Sequence, residues 1–203
     1  MKALILTDIQ NDFLPGGALA VPEGDAVIPA ANRLQAVFSL VVATQDWHPA
    51  DHGSFAANNP GTQPGQVIDL HGLPQVLWPV HCVQGTRGAE IHDELPKTMT
   101  VFRKGTDKTV DSYSGFFDNG KRKATGLGDW LRARGVDQLY ILGLATDYCV
   151  KFTVLDGCQL GFDVWLIEDG CRAVNLAPGD GDRAIAAMRD AGATVIESGS
   201  ITS

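Results

Sequence analysis

The chain has 203 residues, 44% of them hydrophobic and 20% charged, and carries a formal net charge of −8. That is enough apolar material for one compact domain over residues 1–203, and the acidic balance argues against a nucleic-acid partner. The one basic triplet, Lys121-Arg122-Lys123, follows Asp118-Asn119-Gly120 and reads as a solvated turn.

The elements alternate along the chain. A first strand is expected over 2–8, where Ala3-Leu4-Ile5-Leu6 runs through Thr7 into Asp8. That apolar run is too short for a signal peptide, and no later stretch reaches the length of a membrane span. The expectation is therefore a cytoplasmic protein without a membrane partner. A helix follows over 26–37, where Val27, Ala30, Ala31, Leu34 and Val37 recur at helical spacing. A second strand is expected over 39–45.

Residues 46–98 then break the pattern. They hold Trp47, Trp78 and all five histidines among Gly, Asn and Pro, with little periodicity. A loop region of this length inside a compact domain is either disordered or functional, and its aromatic and imidazole content favours function. Beyond it come a strand over 99–104, a helix over 124–134 and a strand over 138–144. A helix over 148–160, a strand over 163–168, a helix over 180–191 and a strand over 193–197 complete the chain. In the last helix Ile185, Ala186 and Met188 are expected to face the core. The alternation predicts an α/β fold: a single-domain doubly wound sheet of about six mainly parallel strands with helices on both faces.

Three strand ends carry chemistry. The first runs into Asp8, the third into Lys104 and the fourth toward Cys149. Ligands of open parallel sheets bind beyond the carboxyl ends of the strands, so three complementary reactive groups there define a candidate site. Asp8 is placed to take a thiol proton, with Asp12 as a competitor for that role. Lys104 is placed to hold carboxylate and thiolate by charge, and Cys149 to attack a carbonyl carbon. Cys149 is also expected at the opening of a helix, where unpaired N–H groups and the helix dipole lower a thiol pKa.

A second cluster is Asp46-Trp47-His48 with His81 further on. One carboxylate and two imidazoles with positions left open suit a catalytic metal site, although the Asp46-Trp47-His48 motif by itself reads first as a polar loop with a hydrogen-bonded histidine; His52 is a candidate fourth ligand or a hydrogen-bond donor behind the ligands. His71 and His92 read as loop histidines and Cys82 as a packed thiol. Cys158 is expected on the buried face of its helix, and Cys171 in a turn after the fifth strand.

In this order, these residues resemble the isochorismatase-like cysteine hydrolase superfamily. The matching blocks are Thr7-Asp8-Ile9-Gln10-Asn11-Asp12-Phe13, Phe102-Arg103-Lys104-Gly105, Tyr113-Ser114-Gly115-Phe116 and Gly143-Leu144-Ala145-Thr146-Asp147-Tyr148-Cys149-Val150, with Glu168-Asp169-Gly170-Cys171 beyond them. Asp46-Trp47-His48-Pro49 and Trp78-Pro79-Val80-His81-Cys82-Val83 resemble the metal-binding nicotinamidase branch.

The resemblance implies a catalytic triad of Asp8, Lys104 and Cys149, and a divalent metal on Asp46, His48 and His81, usually Zn2+, with Fe2+ or Mn2+ in some relatives. It implies a cis Leu144–Ala145 bond that aims the N–H groups of Ala145 and Cys149 into an oxyanion hole. Phe13, Trp78 and Tyr113 would line a pocket for a flat ring. The implied reaction is hydrolysis of nicotinamide, and of pyrazinamide, through a cysteine thioester, serving NAD salvage, in a monomer or homo-oligomer. Two alternatives stand beside it: a metal-independent cysteine hydrolase acting on another small amide or vinyl ether, and a non-catalytic ligand-binding relative.

Overall fold

The structure is a computed structural model that describes residues 1–95 and 99–202. Residues 96–98, the end of the expected long loop, lie outside the described residues.

Six strands form one sheet: β1 (Lys2–Thr7), β2 (Val41–Asp46), β5 (Thr100–Lys104), β6 (Gln138–Leu144), β7 (Asp163–Arg172) and β8 (Thr194–Ile196). Their order is β5-β2-β1-β6-β7-β8, and every neighbouring pair is parallel. The chain builds outward from β1 in one direction and then from β6 in the other, so the strand order reverses between these two. Right-handed crossovers that travel in opposite directions place their helices on opposite faces. Accordingly α1 (Ile28–Gln35) packs on β1, while α3 (Lys151–Gln159) packs on β7 and on α4 (Asp180–Asp190).

The central strands are apolar because both faces are covered. Ala3 to Thr7 of β1 and Leu139 to Leu144 of β6 are all buried. From α1, Ile28, Ala31 and Leu34 enter the core. From α4 it is Ala184 and Met188, whereas the expected Ala186 is exposed; the helix presents the residue two positions earlier to the sheet. The expected helix over 124–134 narrows to α2 (Leu127–Arg132).

Strand β7 outruns its expected end. After a register shift opposite Ile141 and Gly143 it resumes pairing, with Cys171 against Gly143 and Arg172 against Leu144. Cys171 is thus a buried strand residue rather than a turn residue, and its thiol donates to the Ile167 carbonyl at 3.3 Å. Cys158 is only half-buried.

The described part of this region, residues 46–95, is held by its own contacts. A hairpin, β3 (Val67–Leu70) and β4 (Leu73–Val76), turns through His71 and Gly72. Isolated bridges pair Phe55 with Trp78 and His48 with Val83, which returns the histidine-bearing segments to one place. Among the described residues no helix is long and apolar enough to cross a membrane.

Gly143 is where β6 meets β1 most closely. It sits opposite Thr7 in register, its φ is +129°, and a Cβ there would lie 2.1 Å from the Thr7 carbonyl oxygen. Backbone cannot yield at that distance, so Gly143→Ala must push the two strands apart just before Asp8 and Cys149. The substitution is expected to cost about 2–4 kcal/mol in urea unfolding, with activity falling further than stability alone explains.

Candidate active site

The ends of β1, β2, β5 and β6 converge. Asp46 and Lys104 face each other in register at the ends of β2 and β5. Asp8 follows β1 with φ +47°, which turns its side chain out of the strand path. Cys149 lies beyond β6 in a π-helical turn, Thr146–Val150, closed by a bond from Val150 N–H to the Ala145 carbonyl at 3.1 Å. The Leu144–Ala145 peptide is cis.

Lys104 is the centre of the arrangement and is fully enclosed. Its Nζ lies 2.8 Å from Asp8 Oδ2, 2.5 Å from Asp46 Oδ1, 2.8 Å from the Ser112 carbonyl and 3.3 Å from Cys149 Sγ. Burial alone would drive the ammonium to lose its proton, but Asp46, Asp8 and the thiol outweigh it and hold its pKa well above the ordinary value.

Asp8 is also fully buried. Its Oδ1 accepts from Thr44 Oγ1 at 2.6 Å, and its Oδ2 meets Lys104 without the alignment of a hydrogen bond, which leaves a lone pair free. Burial, resisted by Lys104 and assisted by Asp46, raises its carboxyl above 3.8. An acceptor oxygen of Asp8, one of Asp46 and Cys149 Sγ all lie within 4.8 Å of one another.

The thiol departs from the expectation. Burial raises Cys149 well above its ordinary value; Lys104 opposes this, while Asp8 and Asp46 add to it. The expected depression by a helix terminus is overturned, because two carboxylates and full enclosure outweigh backbone dipoles. Asp8, whose carboxylate lies within 4.8 Å of Cys149 Sγ, is the base placed to take the thiol proton.

Next to this cluster stand Asp46, His48 and His81, all buried, with one donor atom each within 4.8 Å. His48 Nδ1 is 2.8 Å from the Gly105 carbonyl and His81 Nδ1 is 2.8 Å from the Pro79 carbonyl. Carbonyls only accept, so in the neutral rings both protons sit on Nδ1. Each Nε2 then presents a lone pair, at 3.6 Å and 4.0 Å from Asp46 Oδ2. Two imidazole lone pairs and a carboxylate directed at one point fit a divalent cation, with the outer ring nitrogens fixed as metal ligands require. For Asp46, burial would raise the pKa, but Lys104 and then the two histidines hold it far below the carboxylate range.

His52 differs. Its Nδ1 accepts the Ser54 N–H at 3.2 Å and contacts Ser54 Oγ at 2.7 Å, which puts the proton of the neutral ring on Nε2. That nitrogen is buried without a well-aligned hydrogen-bond partner among the described residues. The ring packs 4.4 Å from that of His48, with Asp111 beside both. His71 is exposed, and His92 binds Asn11 Oδ1 at 2.9 Å, away from the cluster.

A cavity opens over Cys149, walled by Phe13, Trp78 and Tyr113. Trp78 Nε1 donates to the Tyr113 hydroxyl at 3.1 Å, which locks these two walls together. Asp46, His81 and Ala145 also line it, together with Leu19, Val21, Asp111, Tyr148 and Val174, to which the sequence reading gave no role. Tyr148 sits inside a block already singled out, so its aromatic character was a usable signal; Val174 carries none. It is held by a neighbour of the cysteine: the Asp147 carboxylate accepts Val174 N–H at 2.9 Å and Asn175 N–H at 2.8 Å. Gln10 likewise grips the backbone of Asp46, accepting its N–H at 2.8 Å and donating to its carbonyl at 2.8 Å.

The model of the isochorismatase domain matches residues 2–200 of the chain. The chain therefore belongs to the isochorismatase family of α/β proteins. Within that family it is similar to nicotinamidases: it is 54% identical to the nicotinamidase of Escherichia coli (strain K12), over 96% of this chain and 93% of that protein. The solved nicotinamidase of Acinetobacter baumanii superposes with a TM-score of 0.95 at 44% identity, covering 99% of this chain and 98% of the other. A pyrazinamidase of Pyrococcus horikoshii, solved in complex with zinc, gives a TM-score of 0.79 at 38% identity, covering 97% and 98%.

Removing the ammonium tests the cluster directly. Lys104→Met leaves Asp8 and Asp46 buried without their counter-charge and should cost about 3–5 kcal/mol at pH 7. The cost should shrink as pH falls and the two carboxylates take up protons, a trend readable from urea unfolding at pH 4, 5.5 and 7.

Proposed function

We propose that the protein is an amide hydrolase that converts nicotinamide to nicotinate and ammonia through a thioester on Cys149. The observation that carries this reading is the enclosed set of Asp8, Lys104 and Cys149 beneath an aromatic-walled cavity, with Asp46, His48 and His81 at its side. The whole of 1–203 acts as one hydrolase domain, and pyrazinamide, with a ring nitrogen in the same place, is a second substrate.

The ring lies among Phe13, Trp78 and Tyr113, and the carboxamide reaches Cys149. Asp8, ionised and with a free lone pair, takes the thiol proton as sulfur attacks the amide carbon. Lys104, next to both groups, keeps its proton and stabilises the ion pair as charge moves from carboxylate to thiolate. Backbone N–H groups of Ala145 and Cys149 receive the developing oxyanion, a contribution of about 3–4 kcal/mol per donor. As the C–N bond breaks, Asp8 hands its proton to the leaving nitrogen, which departs as ammonia. Water then enters, Asp8 removes its proton, and the hydroxide adds to the thioester carbon. The C–S bond breaks and the sulfur recovers a proton from Asp8.

Asp46, His48 and His81 hold one divalent cation, for which we propose Zn2+ because a three-ligand set of two imidazoles and a carboxylate leaves an open position. When bound, the ion supplies a positive charge that attracts the lone pair of the substrate's ring nitrogen and so fixes the ring. His52, with its Nε2 proton, stays outside the ligand set.

Purified protein should release ammonia and nicotinate one for one, and Cys149→Ala should lose at least about 10³-fold in kcat while retaining metal. Substantial turnover by that variant would exclude the covalent route. Chelation should raise KM more than it lowers kcat; metal-free protein with an unchanged kcat/KM would remove the ion from the reading.

Asp8 must be ionised to act, and burial raises it, so the acid limb of kcat/KM should lie above the ordinary carboxylate range. Thr44 donates to the ionised form. Thr44→Val should therefore move that limb upward by about one pH unit, the size of one hydrogen bond to a charge.

A further inference from the structure

Asp12, next to the catalytic strand end, is not directed at Cys149; the hydrogen bonds of its carboxylate are to backbone N–H groups. Oδ2 accepts the N–H of Cys82 at 2.7 Å, and Oδ1 accepts that of Ala18 at 3.2 Å. Its own carbonyl accepts the N–H of Leu19 at 2.9 Å.

The Cys82 residue it grips occupies a special place. It follows His81 directly, is fully buried, and has φ +45°, a conformation that non-glycine residues adopt only under constraint. Its carbonyl accepts the N–H of His48 at 3.0 Å. The backbone of Cys82 therefore runs between Asp12 on one side and His48 on the other, with His81 attached.

Gly88 supplies independent evidence that the carboxylate's seat is built. A Cβ on Gly88 would lie 2.1 Å from Asp12 Oδ2 and 2.4 Å from Oδ1, so the carboxylate fills the space that any side chain there would need. On its other oxygen Asp12 pins the 18–21 segment, from which Leu19 and Val21 face the cavity.

We infer that Asp12 is a positioning residue that sets His81 and His48 as metal ligands through Cys82 and holds the Leu19–Val21 wall of the ring pocket. This rests on the metal and substrate reading above. A carboxylate accepting two N–H groups makes charge-assisted bonds, stronger and shorter than neutral ones, and groups that orient ligands govern metal affinity by 10–100-fold.

The test measures Zn2+ affinity by competition with a chromophoric chelator, alongside KM for nicotinamide. Asp12→Ala should weaken Zn2+ at least about tenfold and raise KM. Asp12→Asn keeps one acceptor, which the shorter contact to Cys82 claims, while its amide opposes Ala18 N–H. It should hold Zn2+ within about threefold of the parent and still raise KM. Gly88→Ala displaces the carboxylate without altering it and should weaken Zn2+ as Asp12→Ala does. Ile141→Val, a core change remote from the loops, controls for lost stability and should leave Zn2+ affinity unmoved. Parental Zn2+ affinity in Asp12→Ala, or equal losses in Asp12→Asn and Asp12→Ala, would overturn the inference. Hydrogen exchange at the Cys82 amide needs no metal and separates this inference from the reading beneath it. If the parent protein binds no Zn2+, the metal reading fails, and unchanged Cys82 protection in Asp12→Ala would still overturn the positioning role.

Discussion

A single buried ammonium organises this molecule. Lys104 is enclosed at the end of an edge strand, where an unpaired charge would cost several kcal/mol. Asp8 and Asp46 answer that charge, and they come from the two strands nearest to β5 in the sheet. The sheet order thus follows the electrostatic requirement: β5 beside β2 puts Lys104 opposite Asp46, and β2 beside β1 brings Asp8 within 2.8 Å. Because Asp46 serves both Lys104 and the two histidines, the hydrolytic cluster and the metal cluster share one carboxylate. Neither can be rearranged without the other.

The same enclosure decides how the cysteine works. In water a thiol beside a lysine would ionise readily. Here the loss of hydration and two nearby carboxylates keep the proton on sulfur. Asp8 is raised by the same burial, and its position beside the thiol suits it to shuttle one proton in both directions. Lys104 remains charged throughout and supplies a fixed field. Reactivity is therefore a property of the cluster, and the helix terminus contributes backbone donors rather than acidity.

The irregular 46–95 segment is the other half of the design. It carries His48, His81 and Trp78, and its order comes from short bridges and from carboxylates bound to backbone. Asp12 reaches Cys82 in this segment through one N–H and the nearby Ala18 through another, and Asp147 holds the distant 174–175 loop through two. Loops fixed in this way present ligands and ring walls with little regular structure to support them.

Much of this was legible in the chain. The apolar runs ending in Asp8, Lys104 and Cys149 announced a parallel sheet with chemistry at its carboxyl ends, since period and strand termini are local properties. Asp46, His48 and His81 were recognisable as a ligand set only through the family resemblance, because an Asp-x-His pair by itself reads equally as a polar loop with a hydrogen-bonded histidine. Which histidine nitrogens carry protons was not, because carbonyls of Gly105 and Pro79 decide it for two rings and Ser54 for the third. Nor could Leu19, Asp111 or Val174 be assigned to the pocket, as nothing in their own residue type or immediate neighbours marks them. The acidity of Cys149 was misread for the same reason: sequence shows the turn it opens, but desolvation and the two carboxylates arrive only with the fold. Local patterning thus determined the elements and the reactive residue types, and tertiary packing alone decided their protonation, because burial and charge proximity are set by residues far apart in the chain.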